Sequence, residues 1–324
     1  NLLPAKYEID YVRVYQKKLL DKKASFLPGQ TWNDLSGQVI NAHGGGILYQ
    51  NGTYYWYGEK RGGTESQGVN VYSSKDLYHW TYENLALSPS ADEKSDISWG
   101  CLMERPKVIY NAQTKKYVMW FHLELKGKGY AAARAAVAIS DSATGPFRFI
   151  HSFRPNGNMS RDMGLFVDED NRAYQIYSSD ENYALRLVQL TDDYLQATTK
   201  DSLLFRNHRE APAMFKHDNY YYLITSGCTG WAPNRAELHR ATSPFGPWQS
   251  LGDPMAGPDG ALTFGGQSTF VLPVYGKKDA FIFMADRWNP KNLLDSRYIW
   301  LPIELKEGTV KVSWNSNWNL SIFQ

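Results

Sequence analysis

The sequence contains little of what would place a protein in several specialised classes. Its 324 residues include two cysteines, Cys101 and Cys228, which are too few for a disulfide scaffold and are not spaced as paired metal ligands. The charges nearly cancel, with 35 Lys and Arg against 33 Asp and Glu. Because a surface for nucleic acid or anionic lipid needs an excess of basic charge, we expect no nucleic-acid partner and no anionic-membrane surface.

Long apolar runs and sustained helical periodicity are also missing. No stretch approaches the roughly 18 consecutive apolar residues of a membrane span, so no membrane insertion is expected. The nearest approach to a helical pattern is the alanine-rich segment 130–139. What the chain has in abundance is aromatic residues, with 11 Trp, 22 Tyr and 14 Phe. This apolar surface is enough to offset the entropy of ordering the chain, which excludes intrinsic disorder.

Five similar hairpin patterns run along the chain. Each has a strand, a turn and a second strand that opens on an aromatic residue, and the pattern recurs at intervals of about 45 to 65 residues. The opening aromatic residues are Tyr54, Tyr117, Tyr174, Tyr220 and Phe281. Further short strands follow each hairpin, which makes units of four strands. Such units are typical of propeller blades, so the sequence predicts an all-β, five-bladed β-propeller.

The propeller is expected to occupy residues 26–324 as one catalytic domain. Within it, segment 130–139 is interpreted as the third strand of the second blade, and the tail, 310–323, as the last outer strand. Residues 1–25 do not follow the repeat, because 7–16 alternates as a strand and is followed by a lysine-rich linker. This strand is either the remnant of an upstream domain in a longer multidomain chain or an ordinary strand that packs on the propeller.

The repeat register brings distant polar residues to one face. In a propeller the innermost strand starts, and the second strand ends, at the mouth of the central channel, where an active site is therefore expected. The residues at the first of these positions are His43, Glu104, Asp162, Glu210 and Gln267. An acid beside an arginine is often half of a structural ion pair, but three acids in register favour a shared site. For His43 there is an alternative interpretation, that of a channel-lining histidine that fixes the loop.

A second set of polar and aromatic residues lies near the ends of the second strands. It contains Glu59, Asp180, Thr229, Tyr130 and Trp231. Carboxylates mixed with exposed rings suit a sugar, whose hydroxyls need hydrogen bonds and whose C–H faces stack on rings. We therefore predict that these five residues, with Glu104 and His43, bind substrate. Three carboxylates without a nucleophilic Ser or Cys constellation or a metal motif favour hydrolysis of a glycosidic bond.

Several motifs together resemble glycoside hydrolase family 43, and specifically its subfamily 24 of exo-β-1,3-galactanases. They cover residues 30–324 and read AHGGGILYQNGTYYWYGE, ERPKVIYN, RDMGLFVDEDNRAYQIYSS, REAPAMFK, TSGCTGW and FGGQSTFV. The resemblance implies a five-bladed propeller that inverts the anomeric configuration and releases galactose from the non-reducing end of the β-1,3-galactan backbone of arabinogalactan. Segment 7–16 is instead similar to the closing strand of the family 16 glycoside hydrolase β-sandwich.

The resemblance also implies roles for individual residues. Glu210 matches the general acid and Asp162 the group that modulates its pKa. Most family 43 members have a catalytic-base aspartate at the start of the first blade, where this chain has His43. The subfamily places a glutamine, here Gln267, where water would be held. Two interpretations stay open, with Gln267 positioning the water ranked ahead of Glu104 acting as the base.

Other functions remain alternatives. Family 43 also contains α-L-arabinofuranosidases and β-xylosidases, and a propeller without the base carboxylate is also consistent with a non-catalytic carbohydrate-binding protein. No cofactor or catalytic metal is expected, while a structural calcium ion is left open. The expected partner is a galactan or arabinogalactan oligo- or polysaccharide. The chain is expected to act as a monomer, outside the cell or in the cell envelope or periplasm, because its substrate is a polysaccharide.

Overall fold

The computed structural model describes residues 24–62, 66–306 and 308–323. Its regular structure consists of 21 β-strands and four short 3-10 turns, and these residues contain no α-helix. None of the helical segments in the described part is long and apolar enough to cross a membrane. The strand predicted over 7–16 lies outside the described residues, and so does the proposed upstream-domain remnant.

The strands form five small sheets, four of four strands and one of five. The first sheet contains β1 (His43–Gln50), β2 (Thr53–Glu59), β3 (Val69–Ser74) and β4 (Thr81–Leu87). The second contains β5 (Leu102–Asn111), β6 (Lys116–Glu124), β7 (Arg134–Ser140) and β8 (Arg148–Phe153). The third contains β9 (Met163–Val167), β10 (Ala173–Ser179), β11 (Ala184–Leu190) and β12 (Ala197–Phe205).

The remaining two sheets complete the ring. The fourth contains β13 (Arg209–His217), β14 (Tyr220–Gly227), β15 (Glu237–Ala241) and β16 (Gln249–Gly252). The fifth contains β17 (Met255–Ala256), β18 (Gln267–Pro273), β19 (Phe281–Arg287), β20 (Arg297–Lys306) and β21 (Thr309–Ser313). The 3-10 turns are η1 (Pro155–Gly157), η2 (Gly260–Gly265), η3 (Leu293–Asp295) and η4 (Leu320–Ile322). The sheets are the blades of a five-bladed β-propeller, which confirms the predicted fold.

Local turn chemistry explains the hairpins at the centre of each blade. Between β1 and β2, Asn51 and Gly52 have φ of 50° and 76°, as the two central residues of a type I′ turn require. Gln50 and Thr53 pair directly across this turn. The alanine-rich segment predicted as a strand over 130–139 forms β7 (Arg134–Ser140), the third strand of its blade, while its first four residues belong to the preceding turn. The tail is predicted to be an outer strand over 310–323. This is confirmed only in part, because β21 ends at Ser313.

Neighbouring blades pack through apolar clusters, and this packing accounts for most of the aromatic residues. The cluster between the first and fifth blades includes Trp56, Trp80 and Trp300, each at most 2% exposed. Phe26 stacks on Trp318 at 4.4 Å and their backbones form an isolated β-bridge, which covers the outer edge of this cluster. The segments before β1 and after β21 therefore seal the junction where the ring closes.

No strand is exchanged across this closure within the described residues, because every four-stranded blade is one continuous segment. The two ends are linked by the isolated bridge between Phe26 and Trp318 and by side-chain contacts. The buried Tyr298 hydroxyl donates to the Ile40 carbonyl and accepts from the Ala42 amide, each at 2.9 Å. These bonds fix the chain just before β1, and thereby one wall of the channel mouth.

Candidate active site

The innermost strands start at the channel mouth with a recurring irregularity. In β1, β5 and β13 the pairing register shifts just after the predicted site residue, which marks a β-bulge. The following residues, Gly44, Arg105 and Ala211, have φ of 57°, 54° and 52°. Because bulges bend a strand and redirect its side chains, this backbone feature turns residues of different blades toward a common point.

A pocket of about 360 Å³ lies at this point. It collects side chains from all five blades, and most of them are charged or aromatic. The lining residues are Glu59, Arg61, Glu104, Arg105, His122, Tyr130, Arg161, Asp162, Asn182, Glu210, Gly230, Trp231, Gln267 and Trp288. The exposed rings of Tyr130 and Trp231 stand at its rim.

Glu210 is the carboxyl of the pocket that is set up to carry a proton. Its Oε1 accepts a hydrogen bond from Nε2 of Gln267 at 2.9 Å, and its Oε2 accepts one from Nδ2 of Asn182 at 3.0 Å. Burial, followed by the charge of Asp162, raises the pKa of Glu210 to about 8. A carboxyl with this pKa is protonated at neutral pH, as a general acid must be.

Asp162 supplies negative charge beside the acid. It precedes β9, and its Oδ2 lies 2.9 Å from Nη2 of Arg105. Its backbone carbonyl accepts from the Ser178 amide at 2.9 Å, which holds the residue against β10. Asp162 is thus positioned to act on Glu210 through its charge.

Glu104 is held in the opposite protonation state. Burial alone would raise the pKa of Glu104, but hydrogen bonding to His122 and the charge of Arg61 lower it well below the usual range. Tyr130 donates to its Oε1 at 3.0 Å. Glu104 is therefore an ionised hydrogen-bond acceptor at the pocket wall.

His122 links Glu104 to a second buried acid. Its Nε2 bonds Oε1 of Glu124 at 2.8 Å and its Nδ1 lies 3.3 Å from Oε2 of Glu104. Burial opposes a charge on this ring, but the two glutamates outweigh it and raise the pKa of His122 to about 9. An imidazolium between two carboxylates therefore holds Glu104 in place at neutral pH.

Glu59, at the end of β2, is almost fully buried and pairs with Arg61. Its Oε1 accepts from the backbone amide of Arg105 at 2.8 Å. Burial raises the pKa of Glu59, while the charge of Arg61 opposes this rise. The residue therefore ties β2 to the bulge of β5 at the pocket floor.

Three predicted substrate-binding residues do not line the pocket. His43 is fully buried, with Nδ1 3.2 Å from Oδ1 of Asp286 and its ring stacked on Tyr298, so the structure supports the alternative that it fixes the loop. Asp180 pairs with Arg206 at 2.7 Å. Thr229 donates to the carbonyl of Ala232 at 2.6 Å within its own turn. Of the predicted residues, the pocket brings together Glu210, Asp162, Gln267, Glu104, Glu59, Tyr130 and Trp231.

Sequence reasoning missed several residues that line the pocket, namely Arg61, Arg105, Arg161 and Asn182. Their only signal was adjacency to predicted positions, as in Glu104-Arg105 and Arg161-Asp162. Asn182 follows β10 with φ of 68°, and nothing in its local pattern marks it as a partner of Glu210.

Glu104, His122 and Asp162 present potential metal ligands within 4.8 Å of one another. The donor set does not suit a cation. Arg61 and Arg105 already pair with its two carboxylates, and the raised pKa of His122 keeps its ring protonated at neutral pH, whereas a metal ligand must be deprotonated. The expectation that no cofactor is needed stays a prediction, as does the open question of a structural calcium ion.

A five-bladed propeller with a protonated carboxyl, ionised carboxylates and aromatic rings in one pocket defines a glycoside hydrolase architecture. The family model for glycosyl hydrolases family 43 matches residues 43–308, and the chain belongs to this family. No curated protein sequence matches the chain at a significant level.

Solved structures agree with this assignment. A family 43 β-1,3-galactosidase with galactodeoxynojirimycin is 48% identical, with a TM-score of 0.89, and the match covers 91% of this chain and 100% of that chain. An exo-β-1,3-galactanase variant from Phanerochaete chrysosporium with β-1,3-galactotriose is 36% identical, with a TM-score of 0.86, covering 91% and 68%. An exo-β-1,3-galactanase from Clostridium thermocellum is 38% identical, with a TM-score of 0.84, covering 91% and 66%.

Proposed function

We propose that this protein is an inverting, exo-acting glycoside hydrolase that releases galactose from the non-reducing end of β-1,3-galactan. The observation that carries the proposal is Glu210, a buried carboxyl with a pKa of about 8 beside Asp162 and Gln267. The similarity to a β-1,3-galactosidase over the whole of that structure supports the choice of sugar.

The pocket can perform general acid catalysis on a glycosidic bond. Glu210 donates its proton to the leaving oxygen as the bond to the anomeric carbon breaks. Asp162 keeps that proton on Glu210 before the reaction, since a second negative charge close by disfavours ionisation. Glu104 is ionised and accepts hydrogen bonds from sugar hydroxyls.

The shape of the site favours attack on a chain end. The pocket holds about 360 Å³ at the channel mouth, with Glu59 and Arg105 at its floor and Tyr130 and Trp231 at its rim. We infer that a pocket with buried residues at its floor and exposed rings at its rim takes the terminal sugar while the rest of the chain stays outside. A single displacement by water at the anomeric carbon inverts its configuration, and the proton that the water loses passes to a base, for which the ionised Glu104 is the candidate.

The wider biological setting follows from the substrate. Arabinogalactan presents a β-1,3-galactan backbone, and such polysaccharides lie outside the cytosol, so the proposed site of action is extracellular or in the cell envelope. The proposed assembly state is a monomer, because a pocket that takes residues from all five blades of one chain needs no second subunit.

The test is galactose release from a linear β-1,3-galactan, compared with aryl α-L-arabinofuranoside and aryl β-xyloside. We expect galactose as the product, and proton NMR of the first product should show the α-anomer. Activity on only the aryl pentosides would replace the proposal with another family 43 activity, and an initial β-anomer would contradict inversion.

Glu210→Gln is the matched control for catalysis. It should lower galactose release by about 10² to 10⁴-fold, the usual worth of a general acid, while oligosaccharide binding persists. A wild-type protein that binds β-1,3-galacto-oligosaccharides without cleaving them would instead be a carbohydrate-binding propeller.

A further inference from the structure

The amide of Gln267 lies between two side chains that can only donate hydrogen bonds and the carboxyl of Glu210. Its Oε1 accepts from Nη2 of Arg105 and, at 2.9 Å, from Nε1 of Trp288. Its Nε2 donates to Oε1 of Glu210 at 2.9 Å. Arginine and tryptophan side chains can only donate, so the oxygen must face them and the nitrogen must face Glu210.

Arg105 is anchored independently of Gln267. Its guanidinium is buried, with Nη1 donating to the Ser268 carbonyl at 3.1 Å and Nη2 paired with Asp162 at 2.9 Å. Its backbone amide donates to Glu59 at 2.8 Å, and its φ of 54° belongs to the bulge of β5. This donor therefore stays in place whichever way the amide turns.

Trp288 is the second fixed donor. It follows β19, and its ring lies edge-on to that of Trp231 at 5.3 Å between centroids. The Arg105 guanidinium lies 6.0 Å from the Trp288 ring. Its indole N–H donates to Gln267, whereas Trp231 has no hydrogen bond to Gln267 in the described residues.

The arrangement determines what Gln267 presents to a ligand. An amide oxygen has two acceptor sites, and Arg105 and Trp288 occupy both. The nitrogen carries two N–H groups, of which one bonds Glu210. The amide thus faces the acid and the pocket with donors alone.

We propose that Arg105 and Trp288 are positioning residues that lock the Gln267 amide oxygen away from the pocket, so that Gln267 acts on the acid and the substrate only as a hydrogen-bond donor. The proposal rests on the proposed function for its substrate. It also identifies how Gln267 holds an oxygen atom, of water or sugar, in the pocket: through N–H, with the oxygen as acceptor.

A double-mutant cycle tests whether Trp288 acts through Gln267. Trp288→Phe keeps a ring in the pocket and removes the N–H, and we expect kcat for galactose release from β-1,3-galactan to fall by about three- to tenfold, the worth of one hydrogen bond. In a Gln267→Ala background the same change should cost almost nothing in kcat. The coupling between Trp288 and Gln267 should appear in kcat. Any contact that the Trp288 ring loses with the sugar should instead raise KM, and by the same factor in the wild type and in Gln267→Ala.

Trp231→Phe is the matched control, because Trp231 touches the same indole without bonding Gln267. Its effect should be the same factor in both backgrounds. An equal loss of kcat from Trp288→Phe with and without Gln267 would overturn the proposal, since Trp288 would then act on the sugar directly.

A measurement independent of turnover separates this inference from the proposed function. Neutron diffraction of crystals exchanged into D₂O should show both amide deuterons of Gln267 on the side of Glu210 and the pocket, and the deuteron between the amide oxygen and Arg105 should be bonded to Arg105. Deuterons bonded to the Gln267 nitrogen and facing Arg105 would refute the orientation. A wild-type enzyme that releases no galactose would defeat the proposed function while leaving this result to stand.

Discussion

At the scale of single residues, two glutamates of one pocket are held in opposite protonation states. Burial and then the negative charge of Asp162 raise the pKa of Glu210 to about 8. Glu104 faces the cationic His122 and Arg61, and its pKa falls although it is equally buried. The sign of the neighbouring charge, and not burial, therefore separates acid from acceptor.

The Asp162 charge predicts a shift in pH dependence. Glu210 acts only when protonated, so kcat/KM should fall as the pH rises through about 8. Asp162→Asn removes the like charge and frees the Arg105 cation, and both changes lower the pKa of Glu210. The alkaline limb of the kcat/KM profile should move to lower pH, by roughly one unit.

Asp180→Asn is the control for this experiment, because Asp180 pairs with Arg206 and does not line the pocket. The alkaline limb of the kcat/KM profile of Asp180→Asn should match that of the wild type. If the alkaline limb of the kcat/KM profile does not move in Asp162→Asn, burial alone sets the pKa of Glu210.

At the scale of elements, the innermost strands use one backbone feature repeatedly. Three of them carry a bulge beside the site, with positive φ at Gly44, Arg105 and Ala211. Non-glycine residues adopt this conformation at a cost, which the surrounding sheets must hold in place. The bulges of β5 and β13 direct side chains into the pocket, whereas His43 at the bulge of β1 contacts Asp286, and the rest of each strand keeps its regular pairing.

Gly45 lies in the bulge of β1, where we predict that a larger residue destabilises the fold. A Cβ at this position would lie 1.8 Å from the Tyr57 carbonyl oxygen, and a backbone atom of the paired strand cannot move aside. Gly45→Ala should lower the free energy of unfolding by about 3 kcal/mol, measured by urea denaturation.

Gly37→Ala is the control, because it introduces backbone strain without a clash. Gly37 has φ of 86° and its added Cβ would meet nothing within 4 Å, so it should cost about 1 to 2 kcal/mol. If Gly45→Ala proves no more destabilising than Gly37→Ala, β1 is less tightly paired than the structure shows.

At the scale of the whole molecule, the ring closes through one short backbone bridge, between Phe26 and Trp318, and through side chains. The closure joins the segment before β1 to β20 through Tyr298, whose hydroxyl bonds both Ile40 and Ala42. The same ring stacks on His43, which in turn contacts Asp286. The closure of the ring and the wall of the channel mouth therefore depend on the same residues, Tyr298 and His43.

Removing one hydroxyl should weaken this closure. Tyr298→Phe leaves the buried Ala42 amide and Ile40 carbonyl without their partner and should cost about 1 to 3 kcal/mol in the free energy of unfolding. Tyr57→Phe is the comparison at the junction of the first two blades, where the hydroxyl donates only to Ala143. Urea denaturation should show the larger loss for Tyr298→Phe, and the reverse order would mean that the closure lies elsewhere.

The sequence by itself determined the number of blades and the blade positions of Glu210, Asp162 and Gln267. These follow from local chemistry, since strand alternation, turn residues and the hairpin repeat are readable along the chain. The same register correctly placed Glu104 and Glu59 at the channel mouth, because both positions are set by the course of the backbone.

Only the tertiary structure decided which side chains enter the pocket and in what state. His43 occupies a register position of the site but turns to Asp286, and Arg105 bonds Gln267 from a distant blade. Side-chain direction depends on bulges and on partners far away in the chain, and pKa values depend on the charges that folding brings close. Neither leaves a periodic signal, so the blades are visible in the sequence while the protonation state of Glu210 is not.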